Sequence, residues 1–402
     1  MTSLDVDINL DLADPLTHAE HDLRDLWRKL RAQAPVFWHR PRDDAPGFWV
    51  LSRYADVVGV YRDPRRFSSE RGNMLATLQR DRDPASGRMI AVTDGPRHSA
   101  LRKLLATAFT PRFLAPLEQQ VRDDTRRLLR TAVERGAGDF ARDVAAYIPL
   151  ATICGLLGVP EDDRPFLLTL TSAALGSDEP DQSPAQVWQA RSELLLYFTE
   201  LTQRRRADPG EDVVSLLVTS RIDGAPLTTD EAVLNCYSLI LGGDETARLT
   251  MVGGVAAFID HPLQWSALRA GRVDTASAVE EVLRWTTAAM HAGRTATEDV
   301  ELHGQRINAG DAVTLWNTSA NQDEDAFEAP AEFDLGRAPN RHLTFGYGPH
   351  FCLGAALARI ELGALIDGLR DVVTDIRPAG ERRRIYSNFL AGYSSLPVHL
   401  IR

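Results

Sequence analysis

The sequence predicts a mainly α fold with small β-sheets. Three observations carry that expectation. Apolar residues recur at helical spacing over most of the 402-residue chain. Alternating apolar and polar stretches are short and few. No internal repeat or low-complexity tract points to a solenoid or a fibrous array.

The elements follow in order. HDLRDLWRKLRAQAP reads as a helix stopped before Pro35. PGFWVLSRYADVVGVYRDP opens as a strand at Phe48–Ser52 and then turns helical. From Ser68 to Thr93 the chain is polar, holds glycine and shows no period, which predicts a long loop of the functional kind. RHSALRKLLATAF, LEQQVRDDTRRLLRTAVERG and PAQVWQARSELLLYFTELTQRRRADPG read as helices, with DEPDQSP (Asp178–Pro184) as an exposed loop. In LTTDEAVLNCYSLILGGDETARLTMVGGVAAFIDHP, Thr228 and Glu231 suit a capping box, and the apolar pattern runs on to Pro262. That is about 30 residues, or roughly 45 Å. RTATEDVELHGQRINAG, AVTLWNTSAN and LPVHLI read as small hairpins on the helical body.

Composition narrows the function. A hydrophobic content of 44% is enough for a large core. The net charge of −11 argues against a nucleic-acid partner, which needs a basic face. The acidic opening MTSLDVDINLDLADP has no signal-peptide pattern, and no apolar run approaches the roughly 18 residues of a membrane span. Three cysteines, Cys154, Cys236 and Cys352, are too few and too scattered for a disulfide framework. These features lead us to expect a reducing, cytoplasmic setting.

Cys352 stands in FGYGPHFCLG, with CLGAALARIELGALIDGLRDVV following at helical spacing. It therefore sits at or beside a helix N-terminus, where backbone N–H groups and the helix dipole favour a thiolate. Gly346, Gly348 and Pro349 bend the approach, and Gly354 lets something flat and bulky come near the backbone. Such a thiolate serves as a nucleophile or as a metal ligand. Two other features stand out. Glu281 and Arg284 in EEVLRW are an i,i+3 pair on one helix face. Gly242 and Gly243 lie mid-helix just before Asp244, Glu245 and Thr246, at a cost on the order of 1 kcal/mol each against alanine. A ligand pressed against the helix, or a local widening, is the expected reason.

Phe345, Gly348, His350, Cys352 and Gly354 together fill the haem-binding loop pattern of the cytochrome P-450 family, and NRHLTFGYGPHFCLGAALAR resembles its soluble bacterial members. The resemblance runs from about FWVLSRYADVVGVYRDPRRFSS to LPVHL and implies one P-450 domain over residues 1–402. It implies haem b, with Cys352 as the axial ligand of the iron; thiolate donation favours O–O cleavage. Glu281 and Arg284 would form a buried network with a residue just upstream of the loop. Glu245 and Thr246 would be the acid–alcohol pair that supplies protons to dioxygen, although Ala247 replaces the second Thr of many relatives. Arg248, about 200° round the helix from Thr246, should point away from the haem. His98, Arg102, Arg294 and His342 would hold the propionates.

The same resemblance implies a monooxygenase that takes two electrons from a separate ferredoxin or flavodoxin and hydroxylates or epoxidises a small organic substrate. Arg102, Lys103, Arg341, His350 and Arg359 would form a basic docking patch for that donor. The substrate pocket would comprise Met89, Ile90, Leu239, Gly242, Gly243, Ala288, Ala289, Met290, Phe389 and Leu390. Specialised metabolism is the expected setting, with a polyketide, a peptide or a carrier-bound acyl group as substrate. A peroxide-driven haem-thiolate oxidase or ring-coupling enzyme and a non-catalytic haem-thiolate module are the alternatives.

Overall fold

The computed structural model describes residues 10–42, 45–80, 82–175 and 183–402. The predicted Asp178–Pro184 loop lies largely outside the described residues. The architecture is the expected one: long helices form the body, and short sheets flank it.

The helix at Thr229–Asp260 runs 32 residues through the interior. Its capping box forms as predicted: the Glu231 N–H donates to Thr228 Oγ1 at 3.2 Å, and the Thr228 N–H donates to Glu231 Oε2 at 2.9 Å. Around it pack Tyr147–Leu157, Arg164–Leu175, Pro184–Ala207, Thr275–Thr286 and Ala355–Val372. One core cluster joins Val252, Val255 and Phe258 of the long helix to Val282, Leu365 and Leu369. A second joins Ile240 and Cys236 to Ile153, Leu157, Leu194 and Phe198. Contact is close because small residues permit it: a Cβ on Gly254 would lie 2.8 Å from Val282 Cγ1.

The strands do more than form hairpins. Val36–His39, Phe48–Leu51, Ala312–Trp316, His291–Ala296 and Phe67–Ser68 lie side by side in one five-stranded sheet. Ala312–Trp316 pairs parallel to Phe48–Leu51, with Val313 opposite Trp49, and antiparallel to His291–Ala296, with Val313 opposite Arg294. LPVHLI pairs with Asp375–Pro378 and with Ala137–Asp139. Partners so distant in sequence leave no mark on local alternation.

The predicted Ser68–Thr93 loop is partly ordered. It holds a short helix at Leu75–Leu78 and a 3-10 turn at Ile90–Val92. Both are pinned by remote groups. The Gly293 N–H donates to Asn73 O at 2.7 Å, the Leu75 N–H to His291 Nε2 at 3.2 Å, and the Ile90 N–H to Asn235 Oδ1 at 3.0 Å.

Candidate active site

Cys352 lies between a 3-10 turn at Gly348–His350 and the Ala355–Val372 helix, whose N-cap is Gly354. Its N–H donates to Phe345 O at 2.9 Å and closes the loop. Gly348 has φ +70°, and a Cβ there would collide with the Tyr61 carbonyl, so the turn requires glycine. Arg359 stacks over Phe345 at 4.8 Å and is itself held by Glu280 at 2.6 Å.

Cys352 opens onto a cavity of about 350 Å³. The surrounding protein pushes the thiol up by desolvation, against the Gly354 N–H and the Arg102 and Arg359 charges that favour the anion. The helix terminus favours the anion, as expected, and desolvation opposes it. A coordinated metal ion reverses that balance.

His98, Arg102, Arg294 and His350 share one wall of the cavity. Arg294 is buried; it donates to Gly293 O, sits over the Tyr61 ring, and makes no ion pair among the described residues. Burial draws its pKa down. His98 Nε2 has no hydrogen-bond partner. Burial, then the charges of His350 and Arg102, push His98 down to about 4. The His98 and His350 rings lie 4.1 Å apart, and His350 Nε2 contacts Asp94 Oδ1 at 2.8 Å. A buried guanidinium with so few acceptors, beside an unpartnered imidazole nitrogen, marks a place for anionic groups. Gly354 leaves open space beside Cys352, with Sγ 3.9 Å from where a Cβ would stand, and nothing lies within 4 Å of a Cβ on Gly242 across the cavity. One sulfur ligand, one cationic wall and two glycine clearings fit haem.

His342 does not join that wall. Nδ1 accepts from the Thr344 N–H at 3.3 Å, and Nε2 donates to Glu280 at 3.2 Å, so both nitrogens are satisfied away from the cavity. Burial would raise the Glu280 carboxyl, but Arg359 and His342 outweigh it and hold it at about 2. Of the expected basic patch, Lys103 and Arg341 are exposed, Arg359 pairs with Glu280, His350 pairs with Asp94, and Arg102 lines the cavity.

Glu281 and Arg284 form the expected buried network, 2.8 Å apart and without solvent exposure. Arg284 donates to the carbonyls of Asn321, Pro330 and Glu332. Glu281 accepts from Arg337, Asn340 and the Asp334 N–H. The pair clamps the segment leading into the cysteine loop.

On the long helix, Thr246 lines the cavity and donates through Oγ1 to Gly242 O at 2.8 Å. Glu245 does not line it. Its carboxylate is buried against Arg248, with Arg248 Nε donating to Oε2 at 2.8 Å. Of the expected acid–alcohol pair, Thr246 lines the cavity, while Glu245, about 100° round the helix, pairs with Arg248. Arg248 lies off the cavity, as expected.

Of the predicted pocket, Ile90, Leu239, Gly242, Gly243, Ala288, Ala289 and Phe389 line the cavity. Three residues do not. Met290 packs among Trp27, Leu75 and Trp316, because its backbone bonds to Phe389 and Thr318 turn its side chain into that cluster. Leu390, one residue beyond Phe389 on an extended bridge to Ala289, points to the opposite face with Leu249 and Ile385. Met89 precedes the 3-10 turn and leaves Ile90 to face inward.

Sequence reasoning missed Tyr61, Asn317, His291, Thr250 and Glu361, all of which line the cavity. Glu361 alone carried a signal: it is a charged residue on the otherwise apolar face of Leu357, Glu361 and Leu365.

The comparisons agree with this geometry. The family model described as Cytochrome P-450 matches residues 275–369. Cytochrome P-450 NovI of Streptomyces niveus is 50% identical over 391 residues, covering 97% of this chain and 96% of that one. A steroid C26-monooxygenase of Rhodococcus jostii is 35% identical over 400 residues, covering 96% of this chain and 84% of its own. Among solved structures, P-450 OxyD, involved in the biosynthesis of vancomycin-type antibiotics, superposes with TM-score 0.90 at 36% identity, covering 98% and 99% of the two chains. A Mycobacterium marinum P-450 in complex with pseudoionone also gives 0.90, at 33% identity, covering 99% of this chain and all of that one. With the cysteine loop, the fold and these relatives in agreement, the chain belongs to the cytochrome P-450 family and is a monooxygenase.

Proposed function

We propose that this P-450 hydroxylates or epoxidises a small organic substrate of specialised metabolism, using haem b and electrons from a ferredoxin or flavodoxin. The observation that carries the reading is the cavity lined by Cys352, by the buried guanidinium of Arg294 without an ion pair among the described residues, and by His98 with an unpartnered Nε2. When bound, haem would supply dioxygen activation, and Cys352 would be the residue that holds its iron. Arg102, Arg294, His98 and His350, which line the cavity, would hold the propionates. Phe345, clamped under Arg359, shields the sulfur. The Thr246 hydroxyl orients a proton donor on the cavity wall. Ile90, Leu239, Ala288, Ala289 and Phe389 exclude water and receive the substrate.

Overall, substrate RH, dioxygen, two electrons and two protons give ROH and water. A polyketide, a peptide or a carrier-bound acyl group is the substrate class we favour, supported by the antibiotic pathway of OxyD. Relatives named for steroid oxidation make sterols the first comparison compounds. No described helix is long and apolar enough to cross a membrane, which accords with a cytoplasmic enzyme.

Peroxide-driven turnover is a second reading, favoured by the withdrawal of Glu245 from the cavity. One experiment separates the two. A compound library is screened for ligands that displace water from the ferric iron, and the hits are then supplied with either reduced ferredoxin or peroxide. Product from ferredoxin and dioxygen supports the proposal. Product from peroxide alone replaces it with the second reading.

A further inference from the structure

A second cavity lies beside the catalytic one, and nothing in the oxygen chemistry uses it. Its volume is about 180 Å³. Leu249, Gly253, Ala256 and Ala257 of the long helix give it an apolar floor, and Trp285 and Tyr393 give it aromatic walls. An apolar cavity of about 150 Å³ accepts benzene, so this one has room for a single ring with a short substituent.

Its polar edge is more selective. His18 and Arg384 both line the cavity, and Arg384 Nη1 donates to the carbonyls of His18 and His21 at 3.4 and 3.5 Å. Arg384 is exposed and makes no ion pair among the described residues. The nearby carboxylates are taken: Asp260, in the same lining, pairs with Arg382 at 2.8 Å, and Asp22 pairs with Arg24. Arg384 therefore has charge to offer an anion. His18 offers an acceptor. The Leu12 carbonyl can only accept, so Nε2 carries the proton in their 2.9 Å contact. Burial draws the imidazole pKa down and keeps the ring neutral, which leaves Nδ1 a lone pair. Nδ1 is buried and has no hydrogen-bond partner. A ligand on this edge must accept from Arg384 and donate to His18, as the carboxylate and hydroxyl of a hydroxy acid do.

The two cavities share walls. Leu249 lines the second, and Thr250, the next residue, lines the catalytic one. Leu390 and Phe389 are divided in the same way. The His18 ring stacks on Trp316 at 5.6 Å, and Trp316 meets His291 of the catalytic cavity at 4.8 Å. A ligand that fixes Leu249, Leu390 and His18 acts one residue away from the substrate.

We propose that the second cavity is an effector site for a small aromatic hydroxy acid, with the carboxylate on Arg384, the hydroxyl on His18 and the ring against Trp285 and Tyr393, and that its occupancy changes the affinity of the catalytic cavity. The coupling rests on the P-450 reading; the binding does not.

The test uses haem-loaded protein and mandelate as the probe. With 4-phenylimidazole on the iron to fill the catalytic cavity, calorimetric titration should still show one mandelate site. Phenylacetate, which lacks the hydroxyl, should bind more weakly by on the order of 10-fold, and Arg384→Ala should weaken mandelate by at least about 10-fold. Ala257→Leu, which fills the floor, should abolish binding. Saturating mandelate should shift the affinity for 4-phenylimidazole, read from the Soret band, by on the order of 5-fold in wild type and not in Arg384→Ala. Loss of mandelate binding once 4-phenylimidazole is bound, or a shift that survives in Arg384→Ala, would place mandelate in the catalytic cavity and overturn the site. Binding without any shift would overturn the effector role. A wild type without a thiolate-type carbon monoxide spectrum would sink the P-450 reading and the effector role with it, while mandelate binding that depends on Arg384 would still uphold the site.

Discussion

Glu245 and Arg248 are locked together inside the protein, one turn apart on the long helix, with side chains only 3% and 5% exposed. The contact is charge-assisted on both carboxylate oxygens. It converts a residue that the motif marks for proton transfer into part of the helix's own framework.

Breaking that pair should cost stability. Arg248→Leu leaves the Glu245 carboxylate buried without this partner, at about 3–5 kcal/mol. The double variant Glu245→Gln with Arg248→Leu should recover much of the loss. Urea denaturation of the wild type, both single variants and the double variant measures the coupling. Additive losses would show that the pair does not act as a unit.

Arg284 should tolerate even less. It holds three carbonyls of the segment that leads to the cysteine loop, and Glu281 holds that segment's side chains. Arg284→Lys keeps the charge but loses the planar fork. We expect Arg284→Lys to lower stability by at least about 3 kcal/mol and to reduce haem uptake, read from the ratio of haem to protein absorbance after purification.

Arg294 should behave in the opposite way in the haem-free protein. Its buried guanidinium gains little there, so Arg294→Met should leave the apo-protein's melting temperature unchanged or higher. The same variant should release haem faster, by on the order of 10-fold, since a charge-assisted hydrogen bond is worth about 1.5–3 kcal/mol. Transfer of haem to an apo-globin trap measures it. His342→Gln serves as the contrast and should leave haem transfer unchanged, because His342 is satisfied by Glu280 and Thr344.

Acid should destabilise the apo-protein in two steps. Burial holds His98 down to about 4 and His291 down to about 3. The unfolded chain therefore binds more protons below pH about 6.5, and stability falls from there toward pH 4. A second loss follows as pH approaches 2. There Asp94, held low despite burial by His350, Ser68 and Ser69, becomes protonated. His98→Asn with His291→Asn should flatten the first step and leave the second. Denaturation midpoints across pH 2–7 test this ordering.

How much of this was legible in the sequence depends on the range of the interaction. The capping box of Thr228 and Glu231 is set by neighbours in the chain and was readable; Gly348 was readable as a turn glycine, but the Tyr61 carbonyl that a Cβ there would strike is remote in sequence. The haem-loop residues were readable as a fixed spacing. The fate of Glu245 depended on Arg248, only three residues away; the sequence displayed both, but the motif drew attention to Thr246. His342 was misplaced because its partner, Glu280, lies 62 residues earlier. Tyr61 and Asn317 reach the cavity through a hydrogen bond spanning 256 residues, which no local pattern encodes. The parallel pairing of Val313 with Trp49 was hidden for the same reason.

The central claim is that Cys352 ligates haem iron through its sulfur. The most direct measurement is the carbon monoxide difference spectrum of the dithionite-reduced, haem-loaded protein, for wild type and Cys352→Ala, with circular dichroism to confirm that both are folded. The account predicts a strongly red-shifted Soret band in wild type and its loss in Cys352→Ala. A folded, haem-loaded wild type without that band, or a variant that retains it, would contradict the claim.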